Sequence, residues 1–171
     1  RKWMLKAEAA ILRSFDHVST ISQAMVERLR IKGLRPDKTA EVRNWIDTNA
    51  ICPGSRMTKY RQELKLGESE VVALYSGTMS NKQGLELVIE AAIGLEKSHP
   101  HIHFILAGEG PHKMRLEQLA SGHRNIHFLG LQPVDSFNQL MATADFHLIP
   151  QKAEAADLVL PSKLGAIFAS A

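Results

Sequence analysis

Three short stretches of this chain supply between them glycines, hydroxyls and lysines in patterns that suit an anionic guest. The first covers residues 77–84 and carries Gly77, Thr78, Ser80, Lys82 and Gly84. The second is Gly108-Glu109-Gly110-Pro111, and the third ends in Pro161-Ser162-Lys163. Glycine lets backbone amides approach a ligand closely. Amides at a helix start carry partial positive charge, and lysine adds a full one. Such a set can cradle a phosphate or diphosphate. Each stretch also has an ordinary reading, GEGP as a tight turn and Ser162-Lys163 as a helix cap beside a solvated lysine. Their common placement favours the ligand.

That placement comes from the elements around them. An apolar run at 71–76 reads as a buried strand, and Leu85, Val88, Ile89 and Ala92 then fall on one face of a helix over 84–97. Strand 102–107 is followed by a helix opened by Pro111, with Met114, Leu116 and Leu119. Strand 126–129 precedes a helix with Val134, Phe137, Leu140 and Met141. Strand 145–149 leads through a polar loop to a last helix from Ser162. Strands alternating with helices predict a parallel sheet with right-handed crossovers, an α/β Rossmann-like architecture with helices on both faces. Ligands of such sheets sit beyond the carboxyl ends of the strands, and all three loops lie there.

Upstream, residues 2–14 read as a helix, 16–22 as a short strand and 39–47 as an extended piece. Ser22 is placed to cap a helix that Gly33 ends, and a further helix covers 56–65. The expected division is 1–50 as the end of one domain with its crossover, and 51–171 as an incomplete second domain. The sheet reads as unfinished, so the chain is expected to be a piece of a longer protein.

Several function classes fall away. The first loop is neither a Walker A motif nor the Gly-x-Gly-x-x-Gly dinucleotide fingerprint, which argues against an ATPase and a common dehydrogenase. No Asp-x-Asp occurs, so a metal-held diphosphate is not signalled. Among eight histidines, His99, His101 and His103 lie close together without a Cys or acidic partner, and read as surface groups. Glu109, Glu154 and Asp157 could meet sugar hydroxyls or only water. No nucleophilic Ser/His/Asp set is visible, and no catalytic residue is assigned.

The chain is 44% hydrophobic and 23% charged, a globular mixture. The net charge of +3 is uneven. Residues 1–61 hold 13 Lys and Arg against 6 Asp and Glu, and the remainder hold 8 against 12. A basic segment of this kind suits a solvated helical surface or an anionic membrane face. It lacks the aromatic interleaving of a nucleic-acid binder. The lone Cys52 suits a reducing compartment. No signal peptide or spanning segment is read, so the expected location is cytoplasmic, at the inner face of the membrane.

The stretches YSGTMSNKQGLE, FILAGEGP, NIHFLGLQP, ADFHLIPQ and ADLVLPSKL, in this order, resemble bacterial retaining glycosyltransferases of family four, and among them the exopolysaccharide enzymes of the colanic acid type. STISQAM and NWID resemble the end of the N-terminal domain of that family and the crossing into the C-terminal one. The resemblance implies the two-domain GT-B fold, with this chain covering mainly the domain that binds the nucleotide sugar. It implies that Gly77 and Lys82 face the diphosphate, that Gly108 and Gly110 line the nucleotide cleft, that the turn at Leu131 meets the base, and that Ser162 and Lys163 hold phosphates. The implied substrates are a UDP- or GDP-type sugar and a saccharide or lipid-linked acceptor, with no cofactor and no metal. The piece alone is expected to bind nucleotide but to turn over poorly or not at all.

Three departures stand out. Thr78 occupies a place where many relatives have Arg, and Lys82 precedes the second glycine by two positions rather than one. Two glutamates that many relatives carry eight positions apart fall here at Leu158 and Ala166. A sugar-nucleotide epimerase on the same scaffold and a non-catalytic flavodoxin-like interaction module are the alternatives.

Overall fold

The computed structural model describes residues 2–152 and 162–171. The chain divides into two compact units. One holds the residues up to Trp45, with Ser162, and the other runs Ile46–Lys152 and resumes over Lys163–Ala171.

The first unit contains helix α1 (Lys2–Ser14), strand β1 (Val18–Thr20), helix α2 (Gln23–Ile31) and strand β2 (Thr39–Glu41). β1 and β2 pair in parallel, with Val18 opposite Thr39. Ser22 caps α2 by accepting the Met25 amide at 3.3 Å, which satisfies one of the open donors of the first turn. Of the extended stretch read over 39–47, only 39–41 is strand.

The second unit contains α3 (Lys59–Glu63), β3 (Val71–Ser76), α4 (Glu86–Leu95), β4 (Ile102–Ala107), α5 (Lys113–Leu119), β5 (Ile126–Leu129), α6 (Val134–Ala142), β6 (Phe146–His147) and α7 (Lys163–Ser170). Among the described residues the sheet runs β5-β4-β3-β6, all parallel. Alternate residues of β3 leave the sheet on opposite faces. Ala73 and Tyr75 enter a core with Met79, Leu85, Val88, Ile89, Phe104, Leu106 and Leu116. Val72 and Leu74 enter another with Tyr60, Leu66, Ile105 and Leu140. Both faces of the sheet are therefore covered, which is why β3, and β4 from Phe104 onward, read as unbroken apolar runs.

Helix faces are narrower than their apolar spacing predicts. In α5 only Leu116 is buried, while Met114 is 71% exposed; in α6 Leu140 and Met141 are buried and Val134 is 88% exposed. α7 packs Ala166 against Met141 of α6 and Ile51.

The strand order fixes where a ligand fits. From β3 the chain winds outward to β4 and β5, then returns to place β6 on the other side of β3. Winding reverses between β3 and β6, and the crevice beyond their carboxyl ends is the topological switch point of the sheet. Gly77 leaves β3 at that crevice.

Candidate functional site

The first loop begins with an interlock of two turns. Gly77 donates its amide to the Ala107 carbonyl at 2.8 Å, carrying the β3–β4 ladder one step past the strands. Met79 donates to the Glu109 carbonyl at 2.9 Å, and His112 donates to the Met79 carbonyl at 3.1 Å. The second loop therefore lies directly on the first. Gly108, at φ 140°, presses against the Gly77 carbonyl, and Gly110 against the Met79 carbonyl; a Cβ at either position would overlap that oxygen. Turn-on-turn packing alone accounts for these two glycines. Gly108 also donates to the Leu129 carbonyl at 2.9 Å, which ties in the turn after β5. On that turn Leu131 is 81% exposed.

The rest of the first loop is held from within. The Ser80 hydroxyl and amide both donate to the Gln83 side-chain oxygen, at 2.6 and 3.2 Å, closing a box over the 3-10 turn Asn81–Gln83. Lys82 is exposed in that turn, and its carbonyl accepts the Lys152 amide at 3.2 Å. The segment after β6 thus meets the first loop across the switch point. A groove of about 500 Å³ runs beside this meeting, lined by Gln83, Glu86, Glu90, Arg115, Gln151 and Lys152 among others.

The cation brought against Gly77 is Lys163, the first residue of α7. Its Nζ lies 3.9 Å from the centroid of the Tyr75 ring. A Cβ on Gly77, which sits at φ 143°, would come within 2.6 Å of both Nζ and Cε of Lys163. Burial pushes the Lys163 ammonium down to about 8, so it remains mostly charged at neutral pH. Tyr75 has no exposed surface, and its hydroxyl donates to the Thr78 carbonyl at 2.6 Å. Burial pushes that phenol up to about 12, so it stays a neutral donor.

Of the expected site residues, Gly77, Gly108, Gly110 and Lys163 are thus linked through direct contacts at one end of the sheet. Lys82 joins this end through its backbone. Ser162 is exposed and immediately precedes Lys163 in the chain. Glu154, Asp157, Leu158 and Pro161 lie outside the described residues. Tyr75 escaped the sequence reading because a strand tyrosine in an apolar run is indistinguishable from plain core. His103 also departs from a surface reading. Its Nδ1 lies 3.1 Å from Nε2 of His127 on the adjacent strand, and burial lowers both imidazoles, that of His127 to about 4.

Residues 56–160, more than half of the chain, match the family described as Glycosyl transferases group 1. The chain belongs to that family. It is 39% identical over 166 residues to the colanic acid biosynthesis glycosyl transferase WcaI of Escherichia coli K12, a match covering 95% of this chain and 40% of that protein. In structure it is similar to WaaG, a glycosyltransferase involved in lipopolysaccharide biosynthesis. There the TM-score is 0.68 at 25% identity, over 86% of this chain and 41% of that one. It also resembles Anabaena HepE, whose crystal structure holds UDP-glucose, with a TM-score of 0.72 at 21% identity over 95% of this chain and 45% of that one. These likenesses give the group 1 chain the α/β fold of GT-B glycosyltransferases. The chain spans about two fifths of the length of WcaI. The family favours a glycosyltransferase over an epimerase or an interaction module.

Proposed function

We propose that this chain is the donor-binding part of a retaining glycosyltransferase that moves a sugar from a UDP- or GDP-type nucleotide sugar to a saccharide or lipid-linked acceptor of exopolysaccharide synthesis. The observation that carries this reading is the Lys163 ammonium set against Gly77 at the switch point of the sheet. Transfer breaks the bond from the anomeric carbon to the diphosphate, and negative charge grows on that leaving group. A fixed ammonium and amides aimed at the charge stabilise the transition state more than the ground state. In this reading Lys163, Ser162, Gly77 and Lys82 meet the diphosphate, Gly108 and Gly110 shape the nucleotide cleft, and Leu131 lies beside the base. The donor sugar is the substrate, and no cofactor or metal is required.

The printed descriptions of the relatives support the substrate class: HepE holds UDP-glucose, and WcaI belongs to colanic acid biosynthesis. The excess of basic residues in 1–61 supports a station at the inner face of the cytoplasmic membrane. Among the described residues no helix is long and apolar enough to cross a membrane.

Titration calorimetry of the chain with UDP and with GDP tests the reading. One of them is expected to bind, and Lys163→Ala is expected to weaken it by about 10- to 100-fold, the worth of one charge-assisted contact. Absence of heat with either nucleotide at millimolar concentration would sink the proposal.

A further inference from the structure

We propose that Tyr75 is the positioning residue for the Lys163 ammonium, its ring forming the seat that holds the cation over Gly77 at the rim where a diphosphate arrives. This rests on the donor-binding reading of that rim.

The seat has two sides. One is the ring of Tyr75, fully buried and tethered by its hydroxyl to the Thr78 carbonyl at 2.6 Å. The ammonium lies 3.9 Å from the ring centroid, well inside the range of a cation–π contact. The other side is Gly77, where any side chain would collide with Cε and Nζ of Lys163. A lysine carries four rotatable bonds, and left alone its charge samples a wide volume. Between a pinned ring and a bare backbone it has one place to stand.

An aromatic face suits this task better than a carboxylate. A carboxylate would bind the ammonium through its N–H groups and cancel its charge. The ring attracts the cation through its quadrupole and leaves the N–H donors to a phosphate. Burial holds the ring in place, and the Thr78 carbonyl adds only an acceptor for its hydroxyl. Sequence spacing gives no hint of this trio, since 88 positions separate Tyr75 from Lys163.

The test is a double-mutant cycle on the full chain, read by calorimetry with whichever of UDP and GDP binds, each variant first checked by thermal unfolding. Tyr75→Phe keeps the ring and is expected to hold affinity within about twofold. Tyr75→Leu removes the ring face and is expected to weaken binding about tenfold. In a Lys163→Met background the same Tyr75→Leu change is expected to alter affinity by less than about twofold, because the seat then has no occupant. Equal weakening in both backgrounds overturns the proposal and reduces Tyr75 to a core residue.

Lysine-selective NMR of the ligand-free chain decides the pairing without nucleotide and without Tyr75→Leu, should that variant unfold. The Lys163 ε-methylene protons are expected to be shifted upfield by the ring current in wild type and in Tyr75→Phe. Resonances at ordinary lysine positions overturn the pairing. If neither nucleotide binds the wild type, the donor-binding reading fails, and with it the purpose assigned to the seat; the upfield shift then shows whether the seat itself exists.

Discussion

Arg61, a side chain with no exposed surface, donates to Asp145 at 2.5 Å across 84 positions of sequence. The guanidinium also donates to the carbonyls of Thr143, Gly67 and Glu70, so it ties together backbone from two segments. Asp145 accepts the Val72 amide at 2.8 Å and Arg56 at 2.7 Å. Burial works against its charge, but the Val72 amide and the two arginines outweigh it and hold the carboxyl below its usual range. One ion pair thus clips the start of β6 to the start of β3, the two strands that bound the switch point.

Removing the acid leaves Arg61 buried without its counter-charge. Asp145→Ala is expected to cost about 3 kcal/mol of stability, seen as a lower urea midpoint. Because the folded carboxyl titrates below the unfolded one, this support is present above the ordinary aspartate value of 3.8 and is lost as pH falls through the folded value. A midpoint unchanged in Asp145→Ala would show that the clip contributes nothing.

The His103–His127 pair gives the fold a second acid dependence, at higher pH. Burial and the neighbouring imidazole hold His127 near 4, while an unfolded histidine titrates near 6.5. Between those values the unfolded chain binds protons that the folded chain refuses, so stability falls as pH falls from 6.5 to 4. Urea unfolding at pH 7 and pH 4.5 measures the drop, and His127→Phe is expected to shrink it. The same slope in that variant would assign the effect elsewhere.

Lys163 predicts a basic limb for nucleotide binding. Its ammonium titrates at about 8, so affinity is expected to decline as pH rises through that value and the charge is lost. The fold responds with the opposite sign. An unfolded lysine keeps its proton to about 10.5, so stability rises between those two values as the buried charge disappears. Calorimetry from pH 6.5 to 9.5 checks the first trend, and the limb is expected to be absent in Lys163→Met.

Gly108→Ala places a methyl group into the Gly77 carbonyl at a backbone angle that L side chains rarely adopt. A loss of about 2–3 kcal/mol is expected, together with weaker nucleotide binding, since both turns must part. Thermal unfolding near wild type would contradict the interlock.

The sequence was most legible where a strand is buried on both faces and ends in glycine. β3, β4 and β5 begin and end where apolar runs meet their turns. It was less legible at β6, read over 145–149 but paired only at Phe146 and His147. Phe146 is 62% exposed there, and the Asp145 side chain is spent on the Val72 amide. Helix faces at Met114 and Val134 misled because short helices bury a single stripe. Nothing local in KYRQE announces that Arg61 has partners at Thr143 and Asp145. The same limit hid Tyr75 and His127. Local pattern reports which residues are apolar and where the chain turns; it does not report which distant side chain arrives.

The crossing of the first two turns bears on how such proteins diverge. Met79 and Glu109, Gly77 and Gly108 share contact surface so closely that neither loop has slack of its own. A chimera that imports one loop from a relative and keeps the other inherits a steric mismatch at the joint. Residues 77–79 and 108–112 therefore form one exchangeable cassette, and loop swaps between relatives are expected to keep the fold's stability when both halves travel together.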